Sequence, residues 1–128
     1  YGGFSKVKPW LGMIENYKEI NAEAQVGQDD SIYEFYKKMI DFRQNSIYSE
    51  CLIYGNITAI DTENDEVIAY TRKGGNETIY CYFNFSQNKV FEPLNIKSKK
   101  VIFNNLKEVD ISEDGIILKP NQALLITI

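Results

Sequence analysis

Glu77-Thr78-Ile79-Tyr80-Cys81-Tyr82-Phe83-Asn84-Phe85 is the stretch on which the fold turns. It is built of β-branched and aromatic residues with period two, so Ile79, Cys81, Phe83 and Phe85 share one face while Thr78, Tyr80, Tyr82 and Asn84 share the other. Just before it, Gly74-Gly75-Asn76 supplies residues that admit the positive φ of a hairpin turn, and residues 66–73 form the strand on the other side of that turn. Working outward, the same reading places strands at 52–61, 89–92, 100–104, 115–119 and 122–128. No second helix lies between them to carry a parallel crossover. The pattern therefore predicts a mainly β fold, an antiparallel β-sandwich.

Upstream the period changes. Residues 1–28 carry Gly2, Gly3, Pro9, Gly12 and Gly27 without sustained periodicity and read as a loop with apolar anchors, Trp10 and Leu11 among them. Ser31 and Glu34 then form a capping box, in which the hydroxyl accepts from the third helical N–H and the carboxylate reaches back. Ile32, Phe35, Tyr36, Met39, Ile40 and Arg43 follow at helical spacing, predicting a helix over 31–44. The organisation read from this is a loop and one helix over 1–48, then the sandwich over 49–128. One small sandwich is a poor match for so wide an apolar stripe, so the helix face is expected to be built for a neighbour outside the chain.

Composition narrows the function. The chain has 128 residues, 44% apolar, with a net charge of -4, enough for an ordinary core and too apolar for disorder. No apolar run approaches the roughly 18–20 residues of a membrane span, and the mild acidity predicts neither nucleic acid nor an anionic membrane as partner. Histidine is absent, which removes Ser-His and Cys-His nucleophiles and every His-based metal site. Cys51 and Cys81 lack C-x-x-C spacing and read as two half-buried free thiols in a reducing compartment. No signal-peptide pattern is visible, and the expected location is cytoplasmic. With Tyr1 first and Met13 the earliest methionine, the chain also reads as an excised piece. Sequons at Asn56, Asn76 and Asn84 are read as products of an Asn-rich composition.

Three blocks of sequence carry a family resemblance. Pro9-Trp10-Leu11, the run Asn16-Tyr17-Lys18-Glu19-Ile20-Asn21-Ala22-Glu23-Ala24-Gln25 and the helix Phe35-Tyr36-Lys37-Lys38-Met39-Ile40-Asp41-Phe42-Arg43 resemble the C-terminal end of the α-glucosidases of glycoside hydrolase family 13. The similar branch contains oligo-1,6-glucosidases, dextran glucosidases, trehalose-6-phosphate hydrolases and sucrose isomerases. Downstream, Ile53-Tyr54-Gly55, Ala69-Tyr70-Thr71-Arg72, Asn84-Phe85-Ser86 and Leu118-Lys119-Pro120 with Ala123 resemble the V-Y-G, A-Y-T-R, N-F-S and L-x-P-x-x-A of that family's C-terminal domain. Met13-Ile14-Glu15-Asn16 departs from its V-N-P-N, and Asn121-Gln122 from its aromatic-Glu pair.

The resemblance implies that 1–48 is the last loop and eighth helix of a TIM barrel and 49–128 a sandwich of the α-amylase C-terminal type. It further implies that the catalytic carboxylates lie upstream, so no residue here receives a catalytic role and no metal or cofactor is called for. The parent would hydrolyse α-glucosidic bonds in short oligosaccharides, with the missing barrel as this chain's partner. Two alternatives concern sugar contact. Tyr80 and Tyr82 share a face that could stack on sugar rings as a carbohydrate-binding module does, or that could instead pack against the catalytic barrel or close the sandwich core, and burial of the aromatic face is the favoured reading. The Gly3-Phe4-Ser5 loop resembles a segment near the family's cleft, which makes Phe4 a candidate lining residue. Glu19 with Glu23, and Asp61, Glu63, Asp65 and Glu66 in a turn, read as solvated carboxylates rather than a new acid-base pair or calcium loop. The exposed helix stripe predicts self-association of the isolated chain. Analytical ultracentrifugation is expected to show a concentration-dependent rise in mass, and a strict monomer at high concentration would contradict it.

Overall fold

A computed structural model describes residues 1–94 and 100–127 and divides the chain into two compact units, Tyr1–Ser46 and Ile47–Ile128. The division falls just before the boundary read from the sequence. Residue 128, the end of the last expected strand, lies outside the described residues.

The first unit is shaped by turns and caps. Gly2 and Gly3 take φ of 64° and 80°, values open to glycine, and the Phe4 N–H closes the turn on the Tyr1 carbonyl at 3.1 Å. The Tyr1 ring stacks on Tyr17, centroids 6.1 Å apart. A short helix α1 (Ala22–Gln25), absent from the sequence reading, begins at Asn21, whose Oδ1 accepts from the Ala24 N–H at 2.8 Å. Helix α2 (Ile32–Asn45) starts where the capping signature places it, with Ser31 Oγ accepting from the Glu34 N–H. The reciprocal half of the box differs from expectation. Glu34 Oε1 accepts from the Gly27 N–H at 2.9 Å, and the Ser31 N–H donates to the Gln28 carbonyl instead. The loop before the helix thus takes the carboxylate that a simple box would spend on its own cap, and that hydrogen bond leads the causes lowering the Glu34 pKa. No residue of 1–46 is buried.

The second unit holds the core. Helix α3 (Ser49–Tyr54) is followed by β1 (Asn56–Ile60), β2 (Val67–Gly74), β3 (Glu77–Asn84), β4 (Val90–Pro93), β5 (Lys100–Asn104), β6 (Asp110–Ile111), β7 (Gly115–Leu118) and β8 (Ala123–Thr127). One sheet has the order β1-β2-β3-β8-β5, the other β4-β7-β6, and every pairing is antiparallel. Between them Val67, Ala69, Tyr82, Leu124 and Ile126 meet Val90, Leu94, Ile116 and Leu118, the predicted antiparallel sandwich. Gly75 takes φ 59° in the β2–β3 turn, as its position in the hairpin requires.

The strand expected at 52–61 is corrected: its first residues belong to α3. Cys51 and Leu52 are the buried residues of that helix, and Arg72 of β2 caps its end, Nε donating to the Cys51 carbonyl at 3.1 Å and Nη2 to the Gly55 carbonyl at 2.9 Å. A Cβ at Gly55 would clash with the Cys51 carbonyl oxygen and lie 3.1 Å from the Lys73 backbone of β2, so the close approach of helix end and strand needs glycine. Tertiary contacts override the β propensity of Leu52-Ile53-Tyr54. The two-residue strand β6 was not foreseen either.

A polar lock closes one end of the sandwich. Buried Asn84 donates from Nδ2 toward the carbonyls of Asn88, Leu118 and Lys119 and accepts the Ser86 N–H, while Ser86 Oγ accepts the Asn88 N–H. Buried Gln122 donates to Asn104 Oδ1 at 2.8 Å and accepts the Lys119 N–H at 2.8 Å. Asn121, at φ 55°, follows Pro120 in the turn closed by the Gln122 N–H on the Lys119 carbonyl. Asn84→Ala is expected to cost about 1–3 kcal/mol in urea unfolding. Asn84→Asp should cost more, because a carboxylate cannot donate to the carbonyls the amide now serves.

Candidate functional site

Phe4 projects from the Gly2-Gly3 turn and is 83% exposed. With Tyr1, Gly3, Ser5, Lys6 and Glu23 it lines an open depression. The residues are two aromatic rings, a lysine, a hydroxyl and a carboxylate, groups able to stack on and hydrogen-bond to a polar ligand. Trp10 is exposed as well.

Tyr80 and Tyr82 lie elsewhere in kind. Tyr82 is 2% exposed inside the sandwich, and Tyr80 is packed against the same core. Their face is therefore the inner face of the sheet, and a sugar ring could reach Tyr82 only by opening the domain. The core-closing reading is the one this geometry favours. Burial, with the Glu92 charge as a second cause, pushes the Tyr82 phenol up to about 12. The opposite face of β3 is divided. Ile79 and Cys81 are buried, Phe83 stacks on Tyr70 at 5.8 Å, and Phe85 is exposed together with Ile57 and Ile68 of the neighbouring strands.

The carboxylates weighed for chemistry are solvent-facing: Glu19, Glu23, Asp61, Glu63, Asp65 and Glu66 are all exposed. Among the described residues no group of three or more Asp, Glu, Cys or His could hold a metal ion. The 61–66 turn is ordered by its own bonds, Thr62 Oγ1 donating to the Asn64 and Val67 carbonyls and Asn64 Oδ1 accepting the Glu66 N–H. Asn84 of the third sequon is buried with its amide fully engaged, whereas Asn56 and Asn76 are exposed.

One buried acid escaped the sequence reading. Glu92 of β4 is 3% exposed, and burial raises its pKa. The signal was present: Val90, Glu92 and Leu94 share a phase in a period-two strand, so an inward Val90 implies an inward Glu92.

Two family models abut along the chain, the α-amylase catalytic domain over residues 1–55 and the maltogenic amylase C-terminal domain over 57–119. An α-glucosidase of Schizosaccharomyces pombe is 33% identical over 98% of this chain and 22% of its own length. A probable oligo-1,6-glucosidase of Bacillus subtilis is 34% identical over 96% of this chain, again 22% of its own length. Among solved structures, the isomaltulose synthase of Protaminobacter rubrum superposes with a TM-score of 0.81 at 34% identity, over 98% of this chain and 23% of that one. The chain thus spans about a fifth of the length of the relatives it matches.

The thiols are a testable detail of this arrangement. Cys51 and Cys81 are free and 1% exposed, more deeply buried than the sequence reading had them. Cys51 Sγ donates to the Arg72 carbonyl, and burial pushes the Cys81 thiol up to about 11. Ellman's reagent at pH 8 is expected to find neither thiol in the folded chain and both after denaturation. With a sandwich of the C-terminal domain type, two amylase family models matched in succession and relatives aligned along nearly the whole chain, this protein belongs to glycoside hydrolase family 13, in which it matches a C-terminal part of the α-glucosidases.

Proposed function

We propose that the chain is the non-catalytic C-terminal part of an α-glucosidase that cleaves α-glucosidic bonds, α-1,6 bonds among them, in short oligosaccharides with retention, and that its task is to cover and brace the catalytic barrel. The α-1,6 assignment leans on the oligo-1,6-glucosidase names of several relatives. Retaining hydrolysis needs two carboxyl groups about 5–5.5 Å apart across the scissile bond, and in barrel enzymes these sit at strand ends. Glu19, Glu23, Asp61, Glu63, Asp65 and Glu66 are all exposed, which favours a supporting rather than a chemical role.

The observation that carries the reading is the first unit's lack of a buried residue. Helix α2 has fourteen residues and buries none, with Ile32, Tyr36 and Ile40 more than half exposed on one stripe. A stripe of that width belongs against other apolar surface, and a preceding barrel of the same polypeptide is the partner proposed for it. Phe4 is retained as the residue proposed to face the substrate cleft, since its ring stands free of the core.

Ile40→Ala tests this in two settings. In the longer polypeptide the substitution is expected to cost about 2–5 kcal/mol, as for a buried isoleucine, and to lower the temperature at which α-glucosidase activity is lost. In the 128-residue chain alone it should change stability by about 0.5 kcal/mol or less, and that chain should not hydrolyse a chromogenic α-glucoside. Equal small effects in both settings would overturn the bracing role. Hydrolysis by the chain alone would overturn the non-catalytic one.

A further inference from the structure

Glu92 lies in the three-stranded sheet, in phase with core residue Val90, and its side chain enters the interior at 3% exposure. Its Oε2 accepts a long hydrogen bond, 3.4 Å, from the backbone N–H of Glu63 in the β1–β2 loop. Its Oε1 is buried and has no hydrogen-bond partner among the described residues. A buried carboxylate with one oxygen unserved is among the most unfavourable states a side chain can occupy, whereas the neutral acid in the same place is far less so. The titratable groups acting on it are Glu63 from that loop and Tyr82 from β3 across the core, both of which repel a negative charge when ionised. The paired strand β7 sets the uncharged Gly115 and Ile116 opposite Pro93 and Glu92.

We propose that Glu92 is a proton-operated latch of the sandwich. As the neutral acid it stays in the core and holds the β1–β2 loop through the Glu63 amide; as the carboxylate it leaves the core and lets the loop go. Desolvation is the largest cause raising its pKa, with the Glu63 charge adding to it and the Glu63 amide opposing. The sign of the pH dependence follows. A folded-state value above the unfolded one, about 4.3 for glutamate, means that the native state binds the extra proton. The favourable contribution is therefore complete below about pH 4.3 and declines as pH rises through the folded value.

The test compares the full chain with Glu92→Gln, which keeps the shape of the neutral acid but cannot ionise. Urea midpoints and the hydrogen-exchange protection of the Glu63 amide are followed from about pH 4 to pH 8. The wild type is expected to lose midpoint and Glu63 protection as pH rises, and E92Q to keep both, with the two proteins alike at the acid end. Glu63→Gln should keep a transition but move it to lower pH, because it leaves the amide that Glu92 holds and removes the negative charge that helps to raise the Glu92 pKa. Identical pH profiles for wild type and E92Q would overturn the proposal. So would a ¹³C titration of the wild-type Glu92 carboxyl centred at or below the ordinary glutamate value, a measurement that decides the matter even where E92Q fails to fold.

Discussion

The second unit depends on β3 being buried from both sides. Tyr82 and Asn84 point into the sandwich, while Ile79 and Cys81 on the other face are buried as well. A strand covered on both faces has no solvent side on which to place charge, and this one carries none between Thr78 and Asn84. Its neighbours follow from that demand. β2 and β8 pair with it along nearly their whole lengths, and a one-residue slip would drive Phe83 into the space shaped for Tyr82. Helix α3 has to be short because it covers part of a single sheet face, and it ends where Arg72 can reach its carbonyls.

From this constraint the family motifs acquire physical meaning. The glycine after Ile53-Tyr54 and the arginine of Ala69-Tyr70-Thr71-Arg72 meet at one point, the C-terminus of α3, where one permits close approach and the other satisfies the freed carbonyls. Asn84 and Ser86 of the N-F-S triplet stitch the turn after β3 to the end of β7. Gln122, which departs from the family's usual acid, is buried and uses both ends of its amide, donating to Asn104 and accepting from Lys119. A glutamate could accept that Lys119 N–H but could not donate unless protonated, so the amide suits a site whose opposite partner is an acceptor.

What could be read from the sequence followed periodicity. The hairpin of β2 and β3, the capping of α2 by Ser31 and the last strand were legible because each is a local pattern with a local cause. Helix α3 was not, since Leu52-Ile53-Tyr54 has strand composition and only Arg72, distant in sequence, completes its end. Tyr80 and Tyr82 were legible as a face to be covered, but not as one covered by the second sheet: alternation separates two faces without saying what packs on each when both are apolar. Glu92 was overlooked because a charge is assumed to point outward, although its phase with Val90 said otherwise. At the candidate site, Phe4 drew attention only through resemblance. Its turn depends on paired glycines that announce a bend without announcing what the bend presents.

The two units answer differently to the question of where their stability originates. In the sandwich, fully buried Ile79, Ile116, Leu118 and Leu124 each contribute on the order of 1.5–3 kcal/mol relative to exposure. In the first unit there is no such residue, and its order rests on local devices: the Asn21 and Ser31 caps and the Glu34 bond to Gly27. A cap contributes about 1 kcal/mol, and a helix of fourteen residues is marginal in water without packing. Such devices fix the direction in which a helix leaves its loop rather than supplying the free energy to hold it there. A segment with precise caps and no core is therefore suited to completing a larger apolar layer, with geometry set locally and stability supplied by what it covers.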